Sequence, residues 1–218
     1  MKTALVLGST GLIGKELLNN LLASTHYNNI IIFVRKKIDL SHPKLKQILV
    51  NFNTIENYKE LIKGDDFFCT IGTTIKIAGS KKEFKKVDLE YPTQFAKYAQ
   101  ENDVAQFLII SSLNANVNST NFYLKTKGEL QDYLKNTTFK SVSVLQPSLL
   151  LGKRSEFRLA EKIGGFLSKA FPFLFVGSLK KYKPIEAKTV ATAMIKIAMK
   201  ENLGFTIYKS NTIQEMAK

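Results

Sequence analysis

The residues best suited to chemistry are a tyrosine and a lysine spaced four apart, Tyr123 and Lys127, near the start of a predicted helix. Residues at i and i+4 share one helical face, so the phenol and the ammonium lie on the same side. A phenol is neutral at pH 7, with a pKa of about 10, and a nearby ammonium favours the phenolate. The pair predicts a tyrosine that transfers protons. In so lysine-rich a chain, the spacing also fits a surface tyrosine beside a solvated lysine.

Two serines upstream favour the catalytic interpretation. The apolar strand predicted over residues 106–111 ends at Ser111-Ser112, eleven to twelve residues before Tyr123. A serine at the end of a strand can donate a hydrogen bond to a substrate carbonyl oxygen. The Tyr123/Lys127 pair lies on the helix that follows this strand, and this position makes a chance spacing the less favoured interpretation.

The N-terminus carries glycines at a regular spacing of three, between an apolar strand over 3–7 and an apolar helix over 12–24. Glycine permits a sharp turn, lets the backbone approach a pyrophosphate and allows the helix to pack closely on the strand. The N–H groups and dipole of the helix N-terminus favour phosphate charge. This context predicts a dinucleotide site rather than an ordinary strand–helix turn. Its residues are Gly8, Ser9, Thr10, Gly11, Leu12, Ile13 and Gly14.

The residues after the second predicted strand, 30–34, indicate which dinucleotide is bound. A carboxylate there would bind the ribose 2′-hydroxyl of NAD, but this chain has Arg35, Lys36 and Lys37, with no carboxylate before Asp39. The planar fork of an arginine suits a 2′-phosphate. We therefore expect NADP(H), the alternative being a solvated basic loop.

The elements that position these residues alternate between short apolar strands and helical patterns. Strands this uniformly apolar are typical of a parallel sheet covered by helices on both faces. The pattern predicts a doubly wound α/β fold. Its further strands are 47–50, 66–71 and 140–145, and its further helices are 55–63, 84–101 and 120–135. Pro92 predicts that the helix over 84–101 starts late or bends.

After Gly152 the pattern changes. Residues 154–185 are basic, aromatic and irregular, and an amphipathic helix near 186–201 and a strand near 205–208 follow. We expect a single domain over 1–218. It would combine a dinucleotide-binding core (1–152) with a small lobe (153–218) that caps the carboxyl edge of the sheet on the substrate side.

Composition and charge limit the classes of partner, metal site and cellular location that the protein can have. The chain has 218 residues, enough for one substantial core, and a formal net charge of +14. The lysines are scattered, which favours solvated surfaces over a nucleic-acid partner. One cysteine, Cys69, and two histidines argue against disulfides and a zinc site, so no metal is expected. With no predicted signal peptide or membrane span, we expect a cytoplasmic protein, and we allow for a homodimer.

The glycine turn, Ser111-Ser112 and the Tyr123/Lys127 pair resemble the short-chain dehydrogenase/reductase family, and the Pro147…Gly152 turn resembles its extended members. Several runs resemble an atypical branch, the Tat-interacting-protein-like oxidoreductases. They are 68–74, Val87-Asp88, Asn114-Ala115, 121–124, 127–129 and 182–184.

This resemblance implies a Rossmann fold, NADPH binding and a role for each matching residue. Ser112 would polarise a carbonyl, with Ser111 the second candidate. Tyr123 would pass the proton, and Lys127 would favour its phenolate and hold the nicotinamide ribose. The other cofactor contacts implied are Asn51, Phe52, Gly72, Thr73, Thr74, Ser111, Pro147 and Leu149. The chain departs from the family pattern at Asn51, where an Asp often holds adenine, and at Asp88, where many members have a relay Asn.

We therefore expect an NADPH-dependent oxidoreductase that transfers hydride to or from a carbonyl or hydroxyl group of a small molecule. Two alternatives remain open. One is a regulatory protein that senses the dinucleotide without turnover, for which an intact Tyr/Lys pair has no chemical purpose. The other is a nucleotide-sugar epimerase, for which the short C-terminal lobe leaves little room.

Overall fold

The computed structural model describes residues 1–151 and 182–218. The strands of its main sheet are β1 Lys2–Leu7, β2 Tyr27–Val34, β3 Leu45–Leu49, β4 Asp66–Cys69, β5 Gln106–Ile110, β6 Ser141–Gln146 and β9 Gly204–Lys209. These seven strands are all parallel and lie in the order β3-β2-β1-β4-β5-β6-β9. The sequence order reverses between β1 and β4, which makes the crevice beyond their carboxyl ends the expected ligand site. The predicted doubly wound, Rossmann-type sheet is confirmed.

Helices cover both faces of this sheet. They are α1 Leu12–Ala23, α2 Ile75–Ala78, α3 Lys81–Lys85, α4 Tyr91–Glu101, α5 Phe122–Lys135, α6 Ala187–Lys200 and α7 Ser210–Met216. A 3-10 helix spans Ile55–Leu61, and the short strands β7 (Leu150–Leu151) and β8 (Ile185–Glu186) pair with each other. One core cluster lies beneath α1 and α6, and the other beneath α4 and α5. Burial on both faces explains why every residue of β4, β5 and β6 is buried.

The C-terminal elements complete the sheet. β9 pairs in parallel with β6, and α6 packs against α1. The predicted capping segment falls mostly on residues 152–181, which lie outside the described residues. The division at residue 152 therefore stays a prediction.

The helix predicted over 84–101 is interrupted by a wider turn. Residues Lys86–Glu90 form a π-helical segment, in which Tyr91 N–H donates to the carbonyl of Lys86, five residues back. Pro92, at the start of α4, has no N–H to donate to the carbonyl of Asp88, four residues earlier. The predicted irregularity at Pro92 is therefore present as a π turn, a feature that is frequent at functional sites.

Candidate active site

The glycine turn between β1 and α1 needs glycine at two positions for different reasons. Gly8 has φ +96°, a conformation that side chains with a Cβ rarely adopt. A Cβ at Gly14 would collide with the carbonyl oxygen of Gly8 and lie 2.8 Å from Thr70 Oγ1. Thr70, directly after β4, fixes the turn, since its hydroxyl lies 3.2 Å from the Leu7 carbonyl oxygen and 3.1 Å from that of Gly8.

The turn leaves polar groups for a ligand. The Ser9 side chain is 2% exposed, and its hydroxyl has no hydrogen-bond partner within the described residues. Gly11 caps α1 and contributes no side-chain hydrogen bond to the helix N-terminus. A buried hydroxyl without a partner, beside an open helix N-terminus, fits the charge and acceptors of a pyrophosphate. Of the other predicted turn residues, Thr10 is exposed, Leu12 is half-buried and Ile13 packs in the core.

The residues predicted to bind the adenosine half follow the adjacent strands β2 and β3. Arg35 and Lys36 are exposed directly after Val34, the last residue of β2. Asn51, after β3, is exposed, and its side-chain oxygen accepts a hydrogen bond from Asn53 N–H. The parallel sheet therefore brings Arg35, Lys36 and Asn51 to one edge.

Phe52 is differently placed, because its half-buried ring packs into an aromatic cluster. Its centroid lies 4.9 Å from that of Tyr91 and 6.0 Å from that of Phe95. These contacts belong to the core beneath α4. Contact between Phe52 and a cofactor stays a prediction.

A buried ion pair lies at the centre of the site. Lys127 Nζ is 2.7 Å from Asp88 Oδ1, and the two side chains are 6% and 1% exposed. Asp88 Oδ2 accepts a hydrogen bond from Thr73 N–H at 2.8 Å. Gly72 lies alongside, so that a Cβ there would be 3.3 Å from Asp88 Oδ1. Burial opposes the charge on Lys127, but the charges of Asp88 and Tyr123 outweigh it, and the pKa of Lys127 is raised.

Local structure explains why these groups meet. Helix α5 begins after Asn121, whose side-chain oxygen accepts from Leu124 N–H at 3.2 Å. This cap sets Tyr123 in the first turn of the helix and Lys127 in the second. The half-buried Tyr123 ring packs on Phe84 with centroids 5.5 Å apart. The π turn places Asp88 where it can reach Lys127 across the boundary between the two helices.

The serines of the pair have different environments. Ser111 is buried, and its Oγ accepts a hydrogen bond from Gln131 Nε2. Gln131 Oε1 in turn accepts from Gln146 Nε2 at 3.1 Å. Ser112 is half-buried, and its hydroxyl makes a long 3.4 Å hydrogen bond to the adjacent Leu113 carbonyl oxygen. Ser112 therefore has more hydrogen-bonding capacity left for a substrate.

The remaining predicted residues border the same edge. Thr74 caps α2, accepting from Ile77 N–H at 3.2 Å. Pro147 is buried after β6, while Leu149 is 38% exposed and its carbonyl accepts from Ile185 N–H. Gly152 of the predicted turn lies outside the described residues.

Sequence reasoning missed Thr70, Gln131 and Gln146, and it did not foresee the Asp88–Lys127 ion pair. Their common signal is a polar residue directly after or inside an otherwise apolar strand or helix face. Gln146, for example, ends the buried strand β6. Such a residue needs a partner, and only the folded sheet shows which one it has.

Other site chemistry is limited in the part of the chain that the structure describes. No cluster of three His, Cys, Asp or Glu residues there could hold a metal ion. Burial raises the pKa of the Cys69 thiol to about 12, so the group stays protonated. Among the helices within 1–151 and 182–218, none has both the length and the apolar character needed to cross a membrane.

Comparison with known proteins identifies the family. An NAD(P)H-binding family model matches residues 8–200. "Protein FMP52, mitochondrial" of Candida albicans is 31% identical over 89% of this chain and 87% of its own. "Protein HTATIP2" of Rattus norvegicus is 31% identical over 76% of this chain and 72% of its own.

Solved structures support the same fold. The Bordetella bronchiseptica enzyme WbmH, in complex with NAD+, has a TM-score of 0.70 at 16% identity, covering 100% of this chain and 79% of its own. The oxidoreductase ylbE from Lactococcus lactis has a TM-score of 0.68 at 18% identity, covering 99% and 94%.

These comparisons correct one expectation and settle the family. The predicted cytoplasmic location is wrong on this evidence, because the FMP52 relatives are named as mitochondrial proteins. The family model covers most of the chain, and the two relatives are similar over most of theirs. The chain belongs to the NAD(P)H-binding family, as an atypical short-chain dehydrogenase/reductase related to the Tat-interacting proteins.

Proposed function

We propose that this protein is an NADPH-dependent oxidoreductase that acts on a carbonyl or hydroxyl group of a small molecule. The observation that carries the proposal is the buried ion pair of Lys127 with Asp88, one helical turn from Tyr123 at the sheet edge that also carries the glycine turn. A buried ammonium one helical turn from a half-buried phenol supports proton transfer by the tyrosine. By the location of its FMP52 relatives, we place the protein in mitochondria.

The cofactor would lie across the carboxyl ends of β1, β2 and β4. Ser9 and the N-terminus of α1 would hold the pyrophosphate, and Arg35 with Lys36 would bind the 2′-phosphate. Gly72, Thr73 and Thr74 would border the cofactor where β4 ends, and Leu149 with Pro147 would wall the nicotinamide. When bound, the dinucleotide supplies or accepts the hydride.

The chain's own residues would manage the proton and the developing charge. Ser112 would donate a hydrogen bond to the substrate oxygen, which stabilises the oxyanion as it forms. Tyr123 would deliver the proton to that oxygen during reduction and remove it during oxidation. Lys127 would place a positive charge one turn from Tyr123 and bind the nicotinamide ribose, and Asp88 keeps Lys127 in its charged form.

The test is NADPH oxidation over a panel of aldehydes, ketones and quinones. The epimerase alternative is tested separately, by incubating the protein with UDP-glucose and NAD+ and analysing the sugar nucleotide for an epimer, because epimerisation consumes no NADPH. Tyr123→Phe should lower turnover about 10²–10⁴-fold, the range for a lost proton-transfer group. NADPH binding should persist, since the ring and the glycine turn remain.

The matched control is Tyr133→Phe, which removes a hydroxyl from a 38% exposed tyrosine on the same helix. That variant should turn over like the wild type. If Tyr123→Phe also turned over at the wild-type rate, the catalytic assignment would fail, and a protein that senses the dinucleotide without turnover would be the better description.

A further inference from the structure

Gln47 makes an unusual set of contacts for a residue in the middle of an edge strand. Its side-chain Oε1 accepts a hydrogen bond from Ile38 N–H at 2.9 Å. Its Nε2 donates to the carbonyl oxygens of Ile38 at 3.0 Å and Leu40 at 3.1 Å. The amide therefore pairs with the Ile38 backbone as a neighbouring strand would, with one bond donated and one accepted.

These bonds fix one end of the basic segment, residues 35–37, that follows β2. The other end is fixed by the sheet, since the Val34 carbonyl accepts from Val50 N–H at 2.9 Å. The Ile38 side chain also packs against the core cluster beneath α1. The 35–37 segment is thus fixed at both ends, so its backbone can adopt few conformations.

Arg35 itself has no side-chain hydrogen bond or ion pair among the residues that the structure describes, and it is exposed. The contacts at Val34 and Ile38 therefore order the backbone that carries Arg35, while its guanidinium keeps its hydrogen-bonding capacity for a ligand. An arginine whose backbone is already ordered loses less conformational entropy when it binds an anion. The arrangement thus favours tight binding of a ligand at the carboxyl end of β2.

We propose that Gln47 is a positioning residue for cofactor specificity, which orders the 35–37 segment so that Arg35 and Lys36 bind the 2′-phosphate of NADPH. This inference rests on the proposed preference for NADPH. Because Gln47 acts through Arg35 and Lys36, loss of the Gln47 amide should weaken binding of ligands that carry the 2′-phosphate and spare ligands without it. A merely structural role for Gln47 would weaken binding of both alike.

The experiment measures the affinities of 2′,5′-ADP and 5′-ADP for the full-length protein by titration calorimetry. Gln47→Met, which keeps the length of the side chain and removes its amide, should lose about tenfold in affinity for 2′,5′-ADP. It should change by less than about twofold for 5′-ADP. Gln47→Thr is a second variant. Threonine favours a β-strand but is too short to reach Ile38, so this variant should behave in the same way.

The matched control is Gln100→Met. Gln100 also binds a loop through its amide, with Oε1 accepting from Thr138 N–H at 2.9 Å, but it lies in α4, away from the basic segment. This variant should keep both affinities. A second control adds Gln47→Met to a protein that carries Arg35→Ala and Lys36→Ala, where the Gln47 effect on 2′,5′-ADP should shrink to within about twofold, because both residues through which Gln47 acts are gone.

Two outcomes would overturn the proposal, and they are distinguishable. If Arg35→Ala loses affinity for 2′,5′-ADP while both folded Gln47 variants keep it, the positioning role is wrong and the cofactor assignment stands. If the wild type binds 2′,5′-ADP no better than 5′-ADP, the preference for NADPH is itself wrong, and the role of Gln47 fails with it.

Discussion

At the scale of single residues, the site depends on how a lysine stays charged in a buried position. Lys127 is 6% exposed, and burial alone would lower its pKa. Asp88 reverses that effect from 2.7 Å away. The aspartate also accepts from Thr73 N–H, so the same carboxylate joins the loop after β4 to α5. The family resemblance leads us to expect a relay asparagine at this position in many members. This chain instead has Asp88, whose charge raises the pKa of Lys127.

Removal of that carboxylate should change how the site responds to pH. Asp88→Asn takes away the charge that raises the pKa of Lys127, so its pKa should fall. In the proposed function Lys127 acts in its protonated form, so binding that needs this form is lost as pH rises through the lysine pKa. The alkaline loss of NADPH affinity should therefore begin at lower pH in Asp88→Asn than in the wild type, as measured by calorimetry across a pH series.

The control for this prediction is Glu129→Gln, on the same helix as Lys127. It removes a carboxylate that pairs with Lys85 at a more exposed position. Its pH profile should match that of the wild type. An Asp88→Asn protein with native circular dichroism and an unchanged alkaline limb would show that Asp88 does not set the charge of Lys127.

At the scale of elements, the glycine turn is a contact between three segments. The first glycine turns the chain after β1, Gly14 lets α1 approach the turn, and Thr70 holds the turn from the end of β4. The position of α1, and of its N–H groups, is thus set by the absence of a side chain. The proposed phosphate site would depend on this close packing as well as on the free N–H groups.

Gly14→Ala should therefore affect stability and ligand binding together. The added Cβ would meet the backbone of Gly8, which cannot give way as a flexible side chain could, so α1 must shift. Overpacking of this kind costs about 1–3 kcal/mol in the free energy of unfolding. We expect that loss in urea unfolding, with at least about a tenfold loss of NADPH affinity.

Asn19→Ala, at an exposed position of the same helix, should leave both quantities near the wild-type values. Unchanged NADPH affinity in a destabilised Gly14→Ala protein would mean that the exact position of α1 does not matter for phosphate binding.

Elements differ in how far local sequence determines them. The strands of the sheet follow from apolar runs, and Leu12–Ala23 and Phe122–Lys135 follow from apolar spacing and end signals, so their predictions agree with the structure within a few residues. The π turn at Lys86–Glu90 was not foreseen as such. Pro92 marks an irregularity there, but no local pattern shows that it takes the form of a wide turn, or that this turn brings Asp88 to Lys127, 39 positions away in the chain.

The site shows the same division. The types and spacing of Gly8, Gly14, Tyr123 and Lys127 predict their placement, because each lies beside the end of a strand or at the start of a helix. The hydrogen bonds of Gln47 could not be predicted, since they depend on the path of the loop before β3 rather than on a periodic pattern. Polar contacts between a strand and a loop have no signature in local sequence.

At the scale of the whole molecule, the two edges of the sheet have different tasks. At the carboxyl edge, the buried hydroxyl of Ser9 has no hydrogen-bond partner among the described residues. At the amino edge, buried Asp66 accepts hydrogen bonds from the Tyr27 hydroxyl at 2.6 Å and from Gln106 Nε2 at 2.8 Å. Lys2 Nζ lies 3.3 Å from the same carboxyl group. The buried polar groups at the amino edge have hydrogen-bond partners and support the fold, whereas the unpaired hydroxyl of Ser9 at the carboxyl edge fits the proposed cofactor site.

This division predicts that Tyr27→Phe changes stability without changing the site. Loss of the hydroxyl leaves part of a buried carboxyl group without its partner, at a cost of about 1–3 kcal/mol in the free energy of unfolding. NADPH affinity should stay within about twofold of the wild-type value, since Tyr27 lies at the start of β2, opposite the binding edge. A loss of affinity as large as that of a glycine-turn variant would contradict the division.

The same substitution should also change the response to alkali. Burial, with the nearby charge of Asp66, raises the pKa of Tyr27 above its ordinary 10.0. Above about pH 10 the tyrosine ionises in the unfolded chain but not in the folded protein, so wild-type stability falls by up to about 1.4 kcal/mol per pH unit from this group. Tyr27→Phe lacks that contribution, and the stability gap between the two proteins should narrow between about pH 9 and about pH 11 in urea unfolding. With Tyr133→Phe as the exposed control, a gap that stays constant over this range would show that Tyr27 ionises as readily in the folded protein as in the unfolded chain.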